Sequence, residues 1–133
     1  MYRYPWLQIG ENAYVDEEVI TKKDGALTMI GWGCYVGKDV ELGEGVIIGP
    51  GVIIIASSHG IIRRKLIRDQ KCISKKIIIE DHVWIGAGAV ILGGNTIKSG
   101  AVIGAGSVLT EDHIVGEKEV WCGNPCHFLK NRE

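Results

Sequence analysis

The stretch that decides the fold runs from Ile85 to Asp112 and reads IGAGAVILGGNTIKSGAVIGAGSVLTED. Within it an aliphatic residue recurs every six positions, and Gly or Asp follows each one three positions later. Gly, Asn and Asp tolerate a positive φ best, so this spacing predicts a tight turn every six residues. An α-helix does not have that period, and a simple up-and-down sheet would place its turns farther apart.

The same six-residue spacing occupies the first half of the chain. There, Ile30, Val36, Leu42 and Ile48 are followed by Gly33, Asp39, Gly45 and Gly51, and Ile9 with Asn12 is an isolated earlier copy. Residues two positions before the aliphatic ones are mostly small or β-branched, and such pairs point to the same side of a strand. Each repeat is therefore predicted to be one short strand, and stacked copies are predicted to form a prism with an aliphatic interior.

The repeat is interrupted between Ile54 and Ile79, which are 25 residues apart, one more than four repeats. Seven of the twenty residues from Ser57 to Lys76 are Lys or Arg, against one acid, Asp69. We predict that residues 57–78 leave the prism as an extruded basic loop. Loops held by a rigid scaffold are where functional residues concentrate.

Length and composition favour a single domain over residues 1–133, with 116–133 as a C-terminal tail. The net charge of −1 gives no reason to expect nucleic-acid binding. The longest apolar stretch, residues 46–56, is too short and too rich in Gly and Pro to cross a membrane. Residues 1–7 do not read as a secretion signal, and the four cysteines form no C-x-x-C pair, so we expect a cytoplasmic protein with free thiols.

Three segments carry a resemblance to a known family. They are I-E-D-H-V-W-I-G-A-G-A-V-I-L at residues 79–92, A-V-I-G-A-G-S-V-L-T at 101–110, and G-N-P at 123–125. Together they resemble the hexapeptide-repeat acyltransferases, in particular the maltose, galactoside and surface-polysaccharide O-acetyltransferases. I-R-D-Q at 67–70, after a Ser-His pair, further resembles the polysaccharide and lipopolysaccharide branch.

The resemblance implies an all-β fold, a left-handed parallel β-helix of about five triangular coils. Because so short a prism has a poor ratio of surface to volume, we expect it to assemble as a homotrimer. The resemblance also implies an acetyl-CoA-dependent O-acetyltransferase that needs no metal and acts on a sugar or sugar-phosphate acceptor, in the biosynthesis of surface polysaccharide or lipopolysaccharide. No transmembrane segment is expected, although the protein could contact a membrane peripherally.

By its position in the family pattern, His59 would be the general base that takes the proton from the acceptor hydroxyl. An imidazole suits this role because its ordinary pKa is about 6.5, close to working pH. Direct transfer of this kind needs no nucleophilic Cys or Ser. His82, His113 and His127 have no such context and are interpreted as structural or surface residues.

The resemblance also implies that coenzyme A lies along the prism between neighbouring subunits. Ala87 and Ala105 would leave room for the pantetheine arm, and Trp84 would pack against it, although a plain packing role for Trp84 stays open. Thr110 matches a position near the adenine nucleotide, and Lys130 one near the phosphates. The chain departs from the family at Glu111, where relatives often have Lys, and at His127, in N-P-C-H where relatives have N-P-A-K.

The cations of the loop favour an acceptor that carries phosphate, either a nucleotide sugar or a sugar on a lipid diphosphate. The best candidates are Arg63, Arg64 and Arg68, because a guanidinium can bind phosphate through two hydrogen bonds. The alternatives are that the loop binds the phosphates of coenzyme A, or that it is only a solvated surface.

Three rival functions remain at this stage. An N-acetyltransferase acting on an amino-sugar nucleotide would share the fold and the donor. A non-catalytic β-helix that holds partners together would need no His59. A γ-class carbonic anhydrase would need three histidines on zinc, and no two of the four histidines have the close spacing that such a site uses.

Overall fold

Three parallel sheets surround a common core of aliphatic side chains. The computed structural model describes residues 2–22 and 24–133, with side chains from Pro5 onward; Met1 and Lys23 lie outside the described residues. In chain order the strands are β1 (Tyr2–Tyr4), β2 (Leu7–Ile9), β3 (Tyr14–Val15), β4 (Ile20–Thr21), β5 (Thr28–Ile30), β6 (Tyr35–Val36), β7 (Val40–Leu42), β8 (Ile47–Ile48), β9 (Ile53–Ile54), β10 (Ser57–His59), β11 (Cys72–Ser74), β12 (Ile77–Ile79), β13 (Trp84–Ile85), β14 (Val90–Ile91), β15 (Thr96–Ile97), β16 (Val102–Ile103), β17 (Val108–Leu109), β18 (Ile114–Val115), β19 (Glu119–Gly123) and β20 (Cys126–Asn131).

The strands fall on three faces in turn. Face A contains β2, β5, β8, β13, β16 and β19; face B contains β3, β6, β9, β14 and β17; face C contains β4, β7, β12, β15 and β18. The antiparallel strands β1 and β20 extend the two ends of face A. Five coils are complete and β19 begins a sixth, so the predicted all-β parallel helix of hexapeptide repeats is confirmed, with about six turns where about five were predicted.

The interior follows the predicted repeat. The large inward positions of the second repeat block are completely buried, namely Ile85, Ile91, Ile97, Ile103 and Leu109. The small inward positions before them are buried as well, namely Val83, Ala89, Asn95, Ala101 and Ser107. Equivalent residues of successive coils lie in register, so each face contributes a column of stacked aliphatic side chains to the core.

All ten predicted turn positions have a positive φ, between 56° and 79°. His82 adopts the same conformation, with φ of 57°, although it lies outside the Gly, Asn and Asp set. Two further turns, at Asp24 and Lys118, have φ of 55° and 54° near the two ends of the prism. The turns define three edges, which we name AB, BC and CA after the faces that they join.

The interruption in the repeat is a hairpin that leaves the BC edge. Strands β10 and β11 pair antiparallel within it, and a 3₁₀ helix covers Ile67–Asp69 between them. The extruded loop was predicted to end at residue 78, but the chain returns to the prism earlier. Ile77 is completely buried and pairs with Val40 on face C. We call residues 57–76 the basic arm.

The tail predicted for residues 116–133 is largely a second hairpin, of β19 and β20. Strand β19 pairs with β16 on face A, which places Trp121 in register with the buried Ile103 at the end of the core. Trp121 packs against the core there. Among the described residues, no helix is both long enough and apolar enough to span a membrane.

Candidate functional site

His59 ends strand β10, on the basic arm. In the antiparallel pairing of the arm its partner is Cys72. The Cys72 Sγ lies 3.6 Å from Nε2 of His59 and 4.0 Å from Nδ1. If the sulfur lay in line with the lone pair of one ring nitrogen, its distance to the other nitrogen would be much longer. The two similar distances therefore place the thiol to one side of the imidazole ring. The thiol is thus a contact of the imidazole, whose side chain is otherwise exposed.

A cavity of about 420 Å³ opens beside His59. Its lining residues are Ser58, His59, Gly60, Ile61, Ile62, Ile73, Lys75 and Glu111. Three isoleucines provide an apolar part of the wall, and His59, Lys75 and Glu111 provide a polar part. Such a combination of apolar surface and a few polar groups is typical of small-molecule sites.

A network of three charges lies at the polar side of this cavity. The Lys75 ammonium is 2.9 Å from a carboxylate oxygen of Glu111 and 2.8 Å from one of Asp112. Hydrogen bonds to Asp112 and Glu111 raise the pKa of Lys75 above its ordinary value, so it stays protonated. Because one ammonium serves two carboxylates, Lys75 offsets one of the two negative charges of Glu111 and Asp112.

The base of the arm is tied to the BC edge. The Ser74 hydroxyl donates a hydrogen bond to the Asp39 carboxylate. The backbone N–H of Lys75 donates to the Ala56 carbonyl at 3.0 Å, and that of Ile77 to the Asp39 carbonyl at 3.0 Å. The side chain of Asp39 is thus engaged by Ser74. These bonds hold β11, and with it Cys72 and Lys75, against the prism.

Three residues predicted to bind coenzyme A lie close together elsewhere. Ala87 and Ala105 are exposed at the AB edge, one coil apart, where the N–H of Gly106 donates to the Ala87 carbonyl at 2.8 Å. Trp84 projects from face A in the same coil as Ala87 and is 54% exposed. The three residues form an exposed strip, which we call the alanine strip. The side chains of Ala87 and Ala105 are only methyl groups, so they cover little of the backbone beside them.

The other predicted site residues lie apart from this strip. Thr110 sits at the BC edge, where its carbonyl accepts a hydrogen bond from Asn95 at 2.8 Å. Lys130 is exposed on β20. The three arginines Arg63, Arg64 and Arg68 are exposed at the tip of the arm, and none of them lines the cavity beside His59. Within one chain, His59 and the alanine strip are separated by the width of face B.

The remaining histidines have contacts of their own. The ring of His82 packs over Gly45 at the CA edge, where a Cβ on Gly45 would lie 2.4 Å from Nδ1. Nδ1 of His113 lies 3.0 Å from the Thr110 carbonyl, and the ring meets Trp121 edge-on with centroids 5.9 Å apart. His127 is exposed on β20. Across residues 2–22 and 24–133, no three His, Cys, Asp or Glu side chains converge as a metal site would require.

Two other cavities lie away from His59. One, of about 420 Å³, lies on face C around the Lys22–Asp81 ion pair, whose atoms are 2.7 Å apart. The other, of about 470 Å³, is lined by residues 13–18. Neither is lined by a His or a Cys, whereas the cavity on the arm has the imidazole of His59 in its wall.

Cys72, Ile73 and Lys75 were missed as site residues by sequence reasoning. Cys72 is 13 residues from His59 in the chain, and only the pairing of β10 with β11 brings them together. A hairpin with a twelve-residue connection has no turn signature from which its register could be inferred. The one available signal was the concentration of cations and aliphatic residues around the Ser-His pair.

Comparison with known proteins gives consistent matches. Residues 76–111 match the family described as bacterial transferase hexapeptide (six repeats), and residues 26–56 match the hexapeptide repeat of succinyl-transferase. The chain is 32% identical over 127 residues to a galactoside O-acetyltransferase from Lactococcus lactis. This match covers 90% of the chain but only 60% of that relative, so the chain spans less than two thirds of its length.

Solved structures agree with this result. A maltose O-acetyltransferase from Clostridium difficile superposes with a TM-score of 0.82 at 31% identity, covering 96% of this chain and 67% of that one. A hexapeptide-repeat acetyltransferase from Vibrio cholerae, complexed with acetyl coenzyme A, superposes with a TM-score of 0.72 at 30% identity. That match covers 92% of this chain and 69% of the other.

Proposed function

Because the chain belongs to the hexapeptide-repeat acyltransferase family, we propose that it transfers the acetyl group of acetyl-CoA to a hydroxyl group of a sugar. The observation that carries this proposal is the exposed imidazole of His59, which faces a cavity of about 420 Å³. The similar proteins named as galactoside and maltose O-acetyltransferases support a sugar acceptor. The complex of the Vibrio protein with acetyl-CoA supports the donor.

In the proposed reaction His59 removes the proton of the acceptor hydroxyl while the oxygen attacks the thioester carbonyl carbon. The carbon–sulfur bond breaks, coenzyme A leaves as the thiolate, and the proton passes from His59 to that sulfur. The products are an acetyl ester and coenzyme A. Proton transfer by a positioned side chain of this kind contributes about 10²- to 10⁴-fold to the rate.

The donor is proposed to bind beside Trp84, Ala87 and Ala105, and to reach His59 of a second subunit. This arrangement is supported by the position of the alanine strip at the AB edge and of His59 at the BC edge. Thr110 and Lys130 are proposed to contact the nucleotide end of coenzyme A. Lys75 reduces the repulsion that Glu111 would create with phosphate, although it is shared with Asp112.

A homotrimer would bring these two sets of residues together. Its support is the apolar character of the outward side chains on two faces. On face A they include Met29, Ile47 and Trp84, and on face B they include Tyr14, Tyr35 and Ile53. Two neighbouring faces that expose apolar columns are suited to packing against copies of the same chain.

We propose an acceptor that carries a phosphate group, as a precursor of surface polysaccharide or lipopolysaccharide would. The acetylated sugar would occupy the cavity beside His59, and its phosphate would extend to Arg63, Arg64 and Arg68 at the tip of the arm. The proposal places the protein in the cytoplasm, where exposed thiols such as Cys72 stay reduced.

The test is a coupled assay for release of the coenzyme A thiol, with acetyl-CoA and a panel of free sugars, nucleotide sugars and polysaccharide fragments. With a working acceptor, His59→Ala is expected to lower turnover by about 10²- to 10⁴-fold. His82→Asn is the matched control, because it removes an imidazole at the CA edge while Asn tolerates the positive φ. Near-normal turnover of His59→Ala would refute the mechanism.

Two measurements distinguish the rival functions: the stability of the product to base, and the effect of acetyl-CoA on thermal unfolding. An acetyl ester is hydrolysed by mild base, whereas the amide made by an N-acetyltransferase is not. Acetyl-CoA at about a hundredfold over its dissociation constant should stabilise the fold by about 2.7 kcal/mol. The absence of any thermal shift with acetyl-CoA, together with no turnover on the panel, would favour a non-catalytic scaffold.

A further inference from the structure

The tip of the basic arm exposes large aliphatic side chains to solvent. Every residue from 61 to 69 is exposed. Four of these nine are large and aliphatic, namely Ile61, Ile62, Leu66 and Ile67, and Ile61 is 81% exposed. They belong neither to the prism core nor to the outward columns of faces A and B.

Hydrogen bonds from within the tip hold it in shape. The side-chain oxygen of Gln70 accepts the N–H of Ile62 at 2.7 Å, and its amide donates to the carbonyls of Ile62 and Lys65 at 3.0 and 3.1 Å. The N–H of Gly60 donates to the Lys71 carbonyl at 3.1 Å. The side chain of Gln70 therefore links the two sides of the tip. These hydrogen bonds lie within the tip and involve no residue of the prism.

Cations alternate with these aliphatic residues. Residues 60–71 include one acid, Asp69, and five cations, namely Arg63, Arg64, Lys65, Arg68 and Lys71. The closest approach of Asp69 to a cation is 3.9 Å, to its exposed neighbour Arg68. By contrast, Lys75 and Lys76 at the base of the arm are paired with acids of the prism. The positive charge is thus concentrated where the aliphatic residues are exposed.

We propose that this tip, residues 60–71, docks on an anionic lipid bilayer. The four aliphatic side chains enter the interface between headgroups and acyl chains, and the cations contact the lipid phosphates. A short segment with exposed aliphatic and cationic side chains has the two components that interfacial binding requires. Ile61 and Ile62 also line the cavity beside His59, and the arginines of the tip are those proposed above to bind the acceptor phosphate, so docking would bring that cavity to the level of a lipid-linked acceptor. Vesicle binding needs neither acceptor nor turnover, so its outcome is separate from that of the proposed activity.

Sedimentation with vesicles tests the proposal directly. One set contains phosphatidylcholine alone, and the other contains phosphatidylcholine with a quarter of phosphatidylglycerol. The full chain is expected to sediment with the anionic vesicles, to remain in solution with the neutral ones, and to be released as salt is raised, because salt screens the attraction. Failure to sediment with anionic vesicles at low salt would overturn the proposal.

Two double variants separate the components of binding. Ile61→Ser with Leu66→Ser, and Arg63→Gln with Arg64→Gln, are each expected to weaken vesicle binding at least tenfold. The matched controls are Ile20→Ser with Ile114→Ser on face C, and Lys98→Gln with Lys118→Gln at the CA edge, all exposed and away from the arm. The controls should bind like the wild type. If the control variants lost as much vesicle binding as the arm variants, binding would not depend on the tip, and the proposal would be wrong.

The oligomeric state distinguishes a lipid surface from a second copy of this chain. Light scattering after size exclusion is expected to give the same mass for both arm variants and the wild type. A change of mass in the Ile61→Ser, Leu66→Ser variant would identify the tip as an interface between copies, and the proposal would be wrong. Melting curves check that the variants are folded, as expected for substitutions at exposed positions.

Discussion

Asn95 is the residue at which the core and the candidate site are linked. Its side chain is completely buried, yet each of its polar atoms has a partner. The amide donates to the carbonyls of Leu92 and Thr110 at 2.7 and 2.8 Å, and the oxygen accepts the N–H of His113 at 2.9 Å. Asn95 thereby holds the turn that carries Glu111, which lines the cavity beside His59.

We expect Asn95→Ala to lower the free energy of unfolding by about 2–4 kcal/mol, because the carbonyl of Leu92 and the N–H of His113 lose their hydrogen bonds to the buried amide. Thr96→Ala is the control, since Thr96 points outward from the neighbouring position. Urea unfolding followed by circular dichroism measures both. Equal, small effects of the two substitutions would show that the hydrogen bonds of Asn95 add little to stability.

At the scale of the element, each coil depends on two kinds of glycine. Gly88 has φ of 69°, and a Cβ there would meet nothing within 4 Å. Gly86 lies under the next coil, where a Cβ would be 2.5 Å from the backbone nitrogen of Ala105. The first glycine is needed for its backbone conformation, and the second for the close approach of successive coils.

These roles predict different costs. Gly88→Ala should destabilise the protein by about 1–2 kcal/mol and Gly88→Asn by less, because Asn tolerates the left-handed region, as Asn12 does. Gly86→Ala should cost more than either, since backbone rather than a flexible side chain must move. Thermal melting of the three variants gives the order. A milder effect of Gly86→Ala than of Gly88→Ala would contradict this explanation.

Ion pairs at the CA edge also join the coils. Asp81 accepts the N–H of Glu44 at 3.0 Å and the ammonium of Lys22 at 2.7 Å. The hydrogen bond from Lys22 lowers the pKa of Asp81 below its ordinary value of 3.8. The ionised carboxylate is therefore favoured in the folded state, and its contribution is present above pH 3.8 and is lost as the pH falls through the lowered pKa.

Comparison of Asp81→Asn with the wild type tests this linkage. The wild type should be the more stable of the two at pH 6, and the difference should shrink steadily below about pH 4 as Asp81 is protonated. Denaturant unfolding at a series of pH values gives the difference, in which the titration of other carboxylates cancels. A difference that grew as the pH fell would contradict the predicted sign.

At the scale of the whole molecule, the three faces differ in what they expose. Faces A and B expose columns of apolar side chains, and the Tyr14 and Tyr35 rings on face B stack with centroids 5.2 Å apart. On face C the charged Glu41 and the polar Thr96 stand between the exposed aliphatic residues. This asymmetry is the basis for expecting assembly through faces A and B.

We expect light scattering to give about three times 14.5 kDa. Ile47→Asp should dissociate the assembly, because it places a charge in the outward column of face A. Ile114→Asp is the control on face C, where the native side chain is 66% exposed. A wild-type monomer that binds coenzyme A normally would remove the basis for a site shared between subunits.

Much of the fold could be predicted because the hexapeptide repeat is a local pattern. The alternation of inward residues and the residue types that tolerate a positive φ act over six residues, so the turns, the inward positions and the prism were readable from the chain. His82 shows the limit: it occupies a left-handed turn that its residue type did not predict, because the neighbouring coils impose the conformation.

The candidate site likewise has features that the sequence predicted and features that it did not. The sequence alone determined that His59 lies in a cationic segment outside the repeat, and that small residues recur at Ala87 and Ala105. Only the tertiary structure decided that Cys72 and Lys75 lie beside His59, and that the alanines lie on a different edge from it. The physical reason is range: a six-residue repeat is set by neighbours in the chain, whereas the arm and the edges are set by pairing between distant strands.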